Sequence, residues 1–159
     1  MSRYLLPLLV ALCSCSEDIT DTSTFDPCPG PELLTSLDSI MEALRSGRTV
    51  RVNMDYGACL LDGEPGPAAV GGMDITAWEW FDVGSVGNDQ AYVSFSKSSL
   101  ILFYDVHYYD YVKVRVYADG AVQAIAEYLD PTTFEVEMYE EFECVLDQGE
   151  GGSAQVWAQ

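Results

Sequence analysis

The chain reads as an α+β domain that is mostly β: one N-terminal helix packed on an antiparallel sheet of six to eight strands, arranged as a barrel or a sandwich. Three observations predict this. Only one stretch, PGPELLTSLDSIMEALRSGR, carries apolar residues at helical spacing. From Thr49 onward the apolar period is two in most segments. Asp119-Gly120 stands between two alternating runs, YVKVRVYA and AVQAIAEYL, where a hairpin turn belongs. The chain has 159 residues, of which 48% are hydrophobic, enough for one domain with a real core.

Residues 1–16 have the shape of a secretory signal peptide. Arg3 supplies a positive start, Tyr4 to Leu12 an apolar run, and Cys13 to Ser16 the small residues before a cleavage point. The run of nine is too short to cross a hydrocarbon core of about 30 Å as a helix. A rival reading takes Leu12-Cys13-Ser14-Cys15 as a poor lipobox with Cys15 lipidated. Residues 17–30 are polar and are expected to form a flexible mature N-terminus. Residues 31–159 form the single domain. The expected location is secreted or extracellular, and periplasmic in a bacterium.

In the helical stretch, Leu33, Leu34, Leu37, Ile40, Met41 and Leu44 share a face, with Gly30-Pro31 as the opening and Gly47 as the stop. TVRVNMDY is a half-buried strand with Val50, Val52 and Met54 on one side. LDGEPGPAAVGG is turn-rich and lacks the lysine of a phosphate-binding loop. MDITAWEWFDV, AYVSFSK and SLILFYDV read as three strands, with Lys97-Ser98-Ser99 as the turn between the last two. A two-residue turn at Asp119-Gly120 then pairs Val116 with Gln123, Val114 with Ile125, and Tyr111 with Tyr128. Asp130-Pro131 opens a turn, Phe134, Val136 and Met138 alternate with glutamates, and AQVWA is a last edge strand.

Cys28, Cys59 and Cys144 remain once the leader is removed. Cys59 and Cys144 each follow a strand-like segment, whereas Cys28 lies in a Pro-rich entry, so the expected disulfide is Cys59–Cys144, with Cys28 spare. With no CxxC and a single histidine, a zinc site is not expected. No motif calls for a cofactor. The formal charge of −19 comes from 26 acids against 7 bases, and this field repels nucleic acid and anionic lipid. No later segment is apolar enough for stable membrane insertion. Weak cation binding is compatible with the charge, although no EF-hand spacing occurs.

The chemistry-bearing residues are sparse. His107 in YDVHYYDY, beside Asp105 or Asp110, and the acid run Glu135, Glu137, Glu140, Glu141 and Glu143 are the candidates for a small hydrolase. A Ser–His–Asp hydrolase lacks its GxSxG elbow here. A carrier of an apolar ligand would need a barrel interior lined by residues such as Phe95, Leu100, Leu102 and Val114. The preferred expectation is a secreted binding or interaction domain without catalysis, its partner an extracellular protein or a small ligand. The candidate contact surface is one hairpin face, Tyr111, Lys113, Arg115, Tyr117 and Tyr128.

LDSIMEALRSGRTVRVNMDYGACLL, GGMDITAWEWF and YVKVRVYADGAVQAIAEYLDPTTFEVEMYEEFEC together resemble the VirK protein family. The resemblance runs from about Glu32 to Trp157. It implies a small exported protein of a family first named through bacterial virulence genes. It brings no biochemical activity and no catalytic residue. Cys59 and Cys144 match the family pattern, while Cys28 and the acidic N-terminus lie outside it.

Overall fold

The computed structural model describes residues 30–159. The expected signal peptide, Cys15, Cys28 and the expected flexible N-terminus, except Gly30, lie outside the described residues. The chain order is β1 (Glu32–Leu34), α1 (Leu37–Arg45), β2 (Val50–Asp55), a 3₁₀ turn (Tyr56–Ala58), β3 (Leu60–Leu61), β4 (Glu64–Pro65), β5 (Val70–Asp74), β6 (Glu79–Phe81), β7 (Tyr92–Phe103), β8 (Val106–Tyr117), β9 (Ala121–Leu129), β10 (Val136–Val145) and β11 (Ala154–Ala158). The strands form two antiparallel sheets, a smaller one in the order β1-β11-β2-β5 and a larger one in the order β4-β3-β10-β9-β8-β7-β6. They face each other as an open sandwich, mostly β with one helix among the described residues.

The helix is shorter than its apolar spacing suggests. Ser36 caps it, and the Ser36 and Ser39 side chains each accept from the other's backbone N–H, so the first turn starts at Leu37. Leu33 and Leu34 belong instead to β1, which pairs with β11. Two adjacent leucines are too short a run to tell a strand from a helix. At the other end the Arg48 N–H reaches the Ala43 carbonyl and the Gly47 N–H reaches that of Leu44, closing the last turn as a Schellman motif. Leu37, Ile40, Met41, Ala43 and Leu44 are buried, and the helix touches β2 of one sheet and β7 of the other.

Three strand boundaries differ from the sequence reading. MDITAWEWFDV is two strands, because β5 belongs to the smaller sheet and β6 to the larger; residues 75–78 cross between them. Lys97-Ser98-Ser99 is no turn: β7 runs unbroken to Phe103, and the reversal falls at Tyr104-Asp105, whose φ values are 47° and 65°. Two residues with positive φ match the twist of the hairpin, although neither is glycine. AQVWA is an interior strand, bonded to β1 on one side and β2 on the other.

The main correction concerns register. Asp119-Gly120 does not make a two-residue turn. Only Gly120 has positive φ, at 87°, and the loop is three residues, Ala118 to Gly120. Asp119 accepts from the Ala121 N–H and from Gln90, and the Leu146 N–H bonds the Gly120 carbonyl, which hold the loop in this form. Val116 therefore pairs with Val122, Val114 with Ala124, and Asp110 with Tyr128. Because side chains alternate, this shift of one residue turns all of β9 over. The two-residue alternative would turn Gln123 and Glu127 inward opposite Val116 and Val112, at the cost of desolvating polar groups.

Two rows of the larger sheet then build its half of the core: Val93, Val116, Val122 and Cys144, followed by Phe95, Val114, Ala124 and Phe142. Val50, Val52, Met54, Met73, Ala154, Val156 and Ala158 face them from the smaller sheet. Phe95 and Val114 are thus packed in the core, while Leu100 and Leu102 alternate to the opposite face and are 57% and 62% exposed. The four residues named for a barrel cavity do not share one.

Cys59 and Cys144 form a disulfide, with their Cα atoms 4.5 Å apart and 85 residues of separation. It ties the chain leaving β2 to β10, and so one sheet to the other. Closing a loop of that length stabilises by about 4 kcal/mol through the unfolded chain. The Cys59→Ala/Cys144→Ala double variant is expected to lose stability of that order in urea unfolding at pH 7. A midpoint equal to that of the parent would show that the core alone holds the sheets together.

Candidate functional site

The core rows of the larger sheet do not end at the edge of the smaller one. The same inner face continues with Lys97, Val112, Ala126 and Glu140, and then with Ser99, Asp110, Tyr128 and Met138. The sequence changes there from aliphatic to charged and aromatic. β5 is the last strand of the smaller sheet, and beyond it these two rows are uncovered. The result is a cleft of about 360 Å³ bordered by Gly71, Gly72 and Met73 of β5, by Pro67 and Ala69 before it, and by these rows. Three consecutive β5 residues border a row supplied by four strands, so the cleft runs along β5 and across the larger sheet.

Tyr56 closes its inner end. The ring lies against Phe142 at a centroid distance of 4.8 Å. It also lies over Gly71, where a Cβ would come 2.9 Å from the ring, so a side chain at 71 would displace it. Tyr56 and Phe142 stand three and two residues before Cys59 and Cys144, so the disulfide fixes both. At the outer end the Tyr128 ring stacks with Tyr108 at 5.8 Å and meets Phe103 at 5.9 Å.

Asp110 is the electrostatic centre of the cleft. Burial holds its carboxyl above the ordinary aspartate range, and Lys97 on the neighbouring strand pulls it partly back. No ion pair within 4 Å joins the two among the described residues. The Tyr56 hydroxyl is raised by burial and then by the Asp110 charge, and Tyr128 by burial and then by Asp110 and Glu140. Asp110 and Glu140 lie two strands and two residues apart, or ~12 Å between Cα atoms by sheet spacing.

The expected contact surface divides. Tyr111, Lys113, Arg115 and Tyr117 share the outer face of β8, but Tyr128 is on the inner face, in the cleft. On the outer face the Arg115 guanidinium bonds the Gln123 side chain and lies over the Tyr92 ring, and Gln123 bonds Glu141. The acid run divides as well. Glu137 is an extra residue in a bulge between Val136 and Met138, which turns Val136 outward; beyond it Glu140 lies in phase with Phe142 and Cys144 on the inner face, while Glu141 and Glu143 face outward. His107 and Asp110 point to opposite faces of β8, being three apart, so no histidine–carboxylate pair forms there. Asp105 sits in the turn. Among the described residues no group of three His, Cys, Asp or Glu is placed to hold a metal, and no helix is long and apolar enough to cross a membrane.

Sequence reading missed Tyr56, Lys97, Asp110 and Glu140 as neighbours. The available signal was the break in β7, where Val93 and Phe95 are followed in the same phase by Lys97 and Ser99.

The VirK protein family profile matches residues 33–134, well over half of the 159. The chain belongs to the VirK family. The crystal structure of a VirK family protein from Legionella pneumophila has a similar fold, with a TM-score of 0.63 at 18% identity, over 78% of this chain and 97% of that one. No curated protein matches the chain. The 33–134 span runs from within β1 to beyond β9 and includes Tyr56, Lys97, Asp110 and Tyr128 of the cleft; Glu140 and Cys144 follow it.

Asp110 yields a test with a definite sign. Its folded pKa is raised, so the native state binds more protons than the unfolded one between the ordinary value, 3.8, and the raised value. Its ionisation therefore removes stability as pH rises through that window, and the loss persists above it. Asp110→Asn is expected to be more stable than the parent at pH 7, with the difference shrinking as pH falls below the unfolded value. Urea midpoints at pH 3 and pH 7 check this. A variant less stable at pH 7 would mean that the carboxylate is well paired in the folded protein.

Proposed function

We propose that this VirK domain is an exported, non-catalytic binding module whose ligand occupies the cleft between β5 and the inner face of the larger sheet. The observation that carries the reading is the change within one sheet face. Aliphatic rows that pack the core give way to Lys97, Asp110, Tyr128 and Glu140 in a groove that β5 leaves open. A concave site with a few polar groups among apolar walls suits binding. Hydrolysis has less support, because among the described residues the groove lining holds no histidine and no cysteine. Export rests on the leader-like residues 1–16 and agrees with the Cys59–Cys144 disulfide, since such bonds persist in oxidising compartments.

Two measurements test the parts separately. For the cleft, an NMR titration would use a panel of mixed-sequence peptides, primary amines and short oligosaccharides. Bound members should move the amide signals of Tyr56, Asp110 and Tyr128. Ala126→Trp, which fills the groove, should weaken binding by at least tenfold. Shifts centred on Tyr111, Lys113, Arg115 and Tyr117 would transfer the site to the outer face. For export, the intact mass of protein recovered outside the cytoplasm of an expressing cell should lack about sixteen N-terminal residues. A full-length mass, or an added lipid on Cys15, would contradict the secreted form.

A further inference from the structure

β5 offers the cleft more than a wall. It is an end strand of the smaller sheet, and its backbone faces the groove. The Ile75 N–H bonds the Val50 carbonyl at 2.8 Å, and the Tyr56 N–H bonds the Ala69 carbonyl at 2.9 Å. In an antiparallel ladder those two bonds set the phase: odd-numbered residues of β5 bond to β2, and the N–H and C=O groups of Val70, Gly72 and Asp74 point to the open side. Open edges of this kind are usually short, charged or covered. Here Gly72 places no side chain beside the edge and is exposed, and Val70 is 76% exposed.

The larger sheet extends under that edge. A fifth strand laid beside β5 would rest on Val112 and Ala126, which are half-buried and small enough to receive side chains. The smaller sheet, as it stands, covers only two full rows of a sheet whose longest strands have twelve residues. The groove therefore has the form of a missing strand. Its charge selects the occupant. Asp110 and Glu140 outnumber Lys97, Asp110 has no ion-pair partner within 4 Å among the described residues, and the whole chain carries −19. Residues 17–29 of this chain are a poor occupant by the same criterion, since they hold four acids and no lysine or arginine.

We infer that the cleft binds an extended peptide segment of another protein, added as a strand to β5, with a lysine or arginine directed at Asp110 and Glu140. This rests on the cleft being the binding site and names the class of its ligand. Main-chain bonds to Val70, Gly72 and Asp74 supply register, and the carboxylates supply the preference for a basic side chain.

The probe is a library of blocked octapeptides with lysine or arginine at alternate positions and the remaining positions randomised. The best binder should protect the amides of Val70, Gly72 and Asp74 from hydrogen exchange. The same peptide N-methylated at alternate residues should bind at least tenfold more weakly, because the strand bonds are gone. Val70→Pro should cause a similar loss while leaving the β2 ladder intact, since that N–H faces outward. Asp110→Asn should weaken the basic peptides several-fold. Equal binding of the N-methylated peptide, or protection on the outer face instead, would overturn strand addition. So would a library without a binder when other compounds still occupy the cleft, and the binding reading would then survive alone. A cleft that nothing occupies would remove both.

Discussion

The register between β8 and β9 is the constraint on which the rest of the molecule depends. One backbone conformation, the positive φ of Gly120, makes the loop three residues long. That places Val122 and Ala124 against Val116 and Val114, so the core closes on aliphatic side chains. It also carries Tyr128 inward, beside Asp110. Core and cleft are consecutive rows of one sheet face, and a slip of one residue would exchange them together for Gln123, Ile125 and Glu127. The tie from the Gly120 carbonyl to Leu146 and the Asp119 bonds to Ala121 and Gln90 hold this single choice in place.

The disulfide acts on the same region from the other sheet. It joins Cys59, just past β2, to Cys144 in the first core row. Tyr56 and Phe142, a turn or a pleat away, are thereby pressed together at the boundary between core and cleft. The absence of a side chain at Gly71 lets the Tyr56 ring lie there. Stability and site thus share parts: the covalent link that joins the sheets also sets the inner wall of the groove. The strand edge of β5 and the half-buried Asp110 are then left as the groove's unused bonding capacity.

Much of this was legible in the residues, and the exceptions have physical causes. Alternation located β2, β8 and β9, and the cysteine positions identified their pairing. The helix is legible in its core but reads as starting too early, because two adjacent leucines do not tell a strand from a helix and the Ser36–Ser39 cap is a weak pattern. Tyr104-Asp105 escaped as a turn because positive φ usually draws glycine or asparagine. The polar Lys97-Ser98-Ser99 looked like a break only because the inner face becomes polar at that point. The bulge at Glu137 turns Val136 outward, and Glu140, in phase with Phe142 and Cys144, is a charged residue at a position that alternation marks as inward. The cleft itself joins six segments from the 3₁₀ turn to β10, and no local pattern announces such a meeting.

The register can be measured directly. Nuclear Overhauser contacts between backbone protons of β8 and β9, collected on isotope-labelled protein, report which residues face each other. The account predicts contacts joining Asp110 to Tyr128, Val112 to Ala126 and Val116 to Val122. Contacts joining Tyr111 to Tyr128 and Val116 to Gln123 would place Tyr128 on the outer surface, dissolve the cleft and contradict the account.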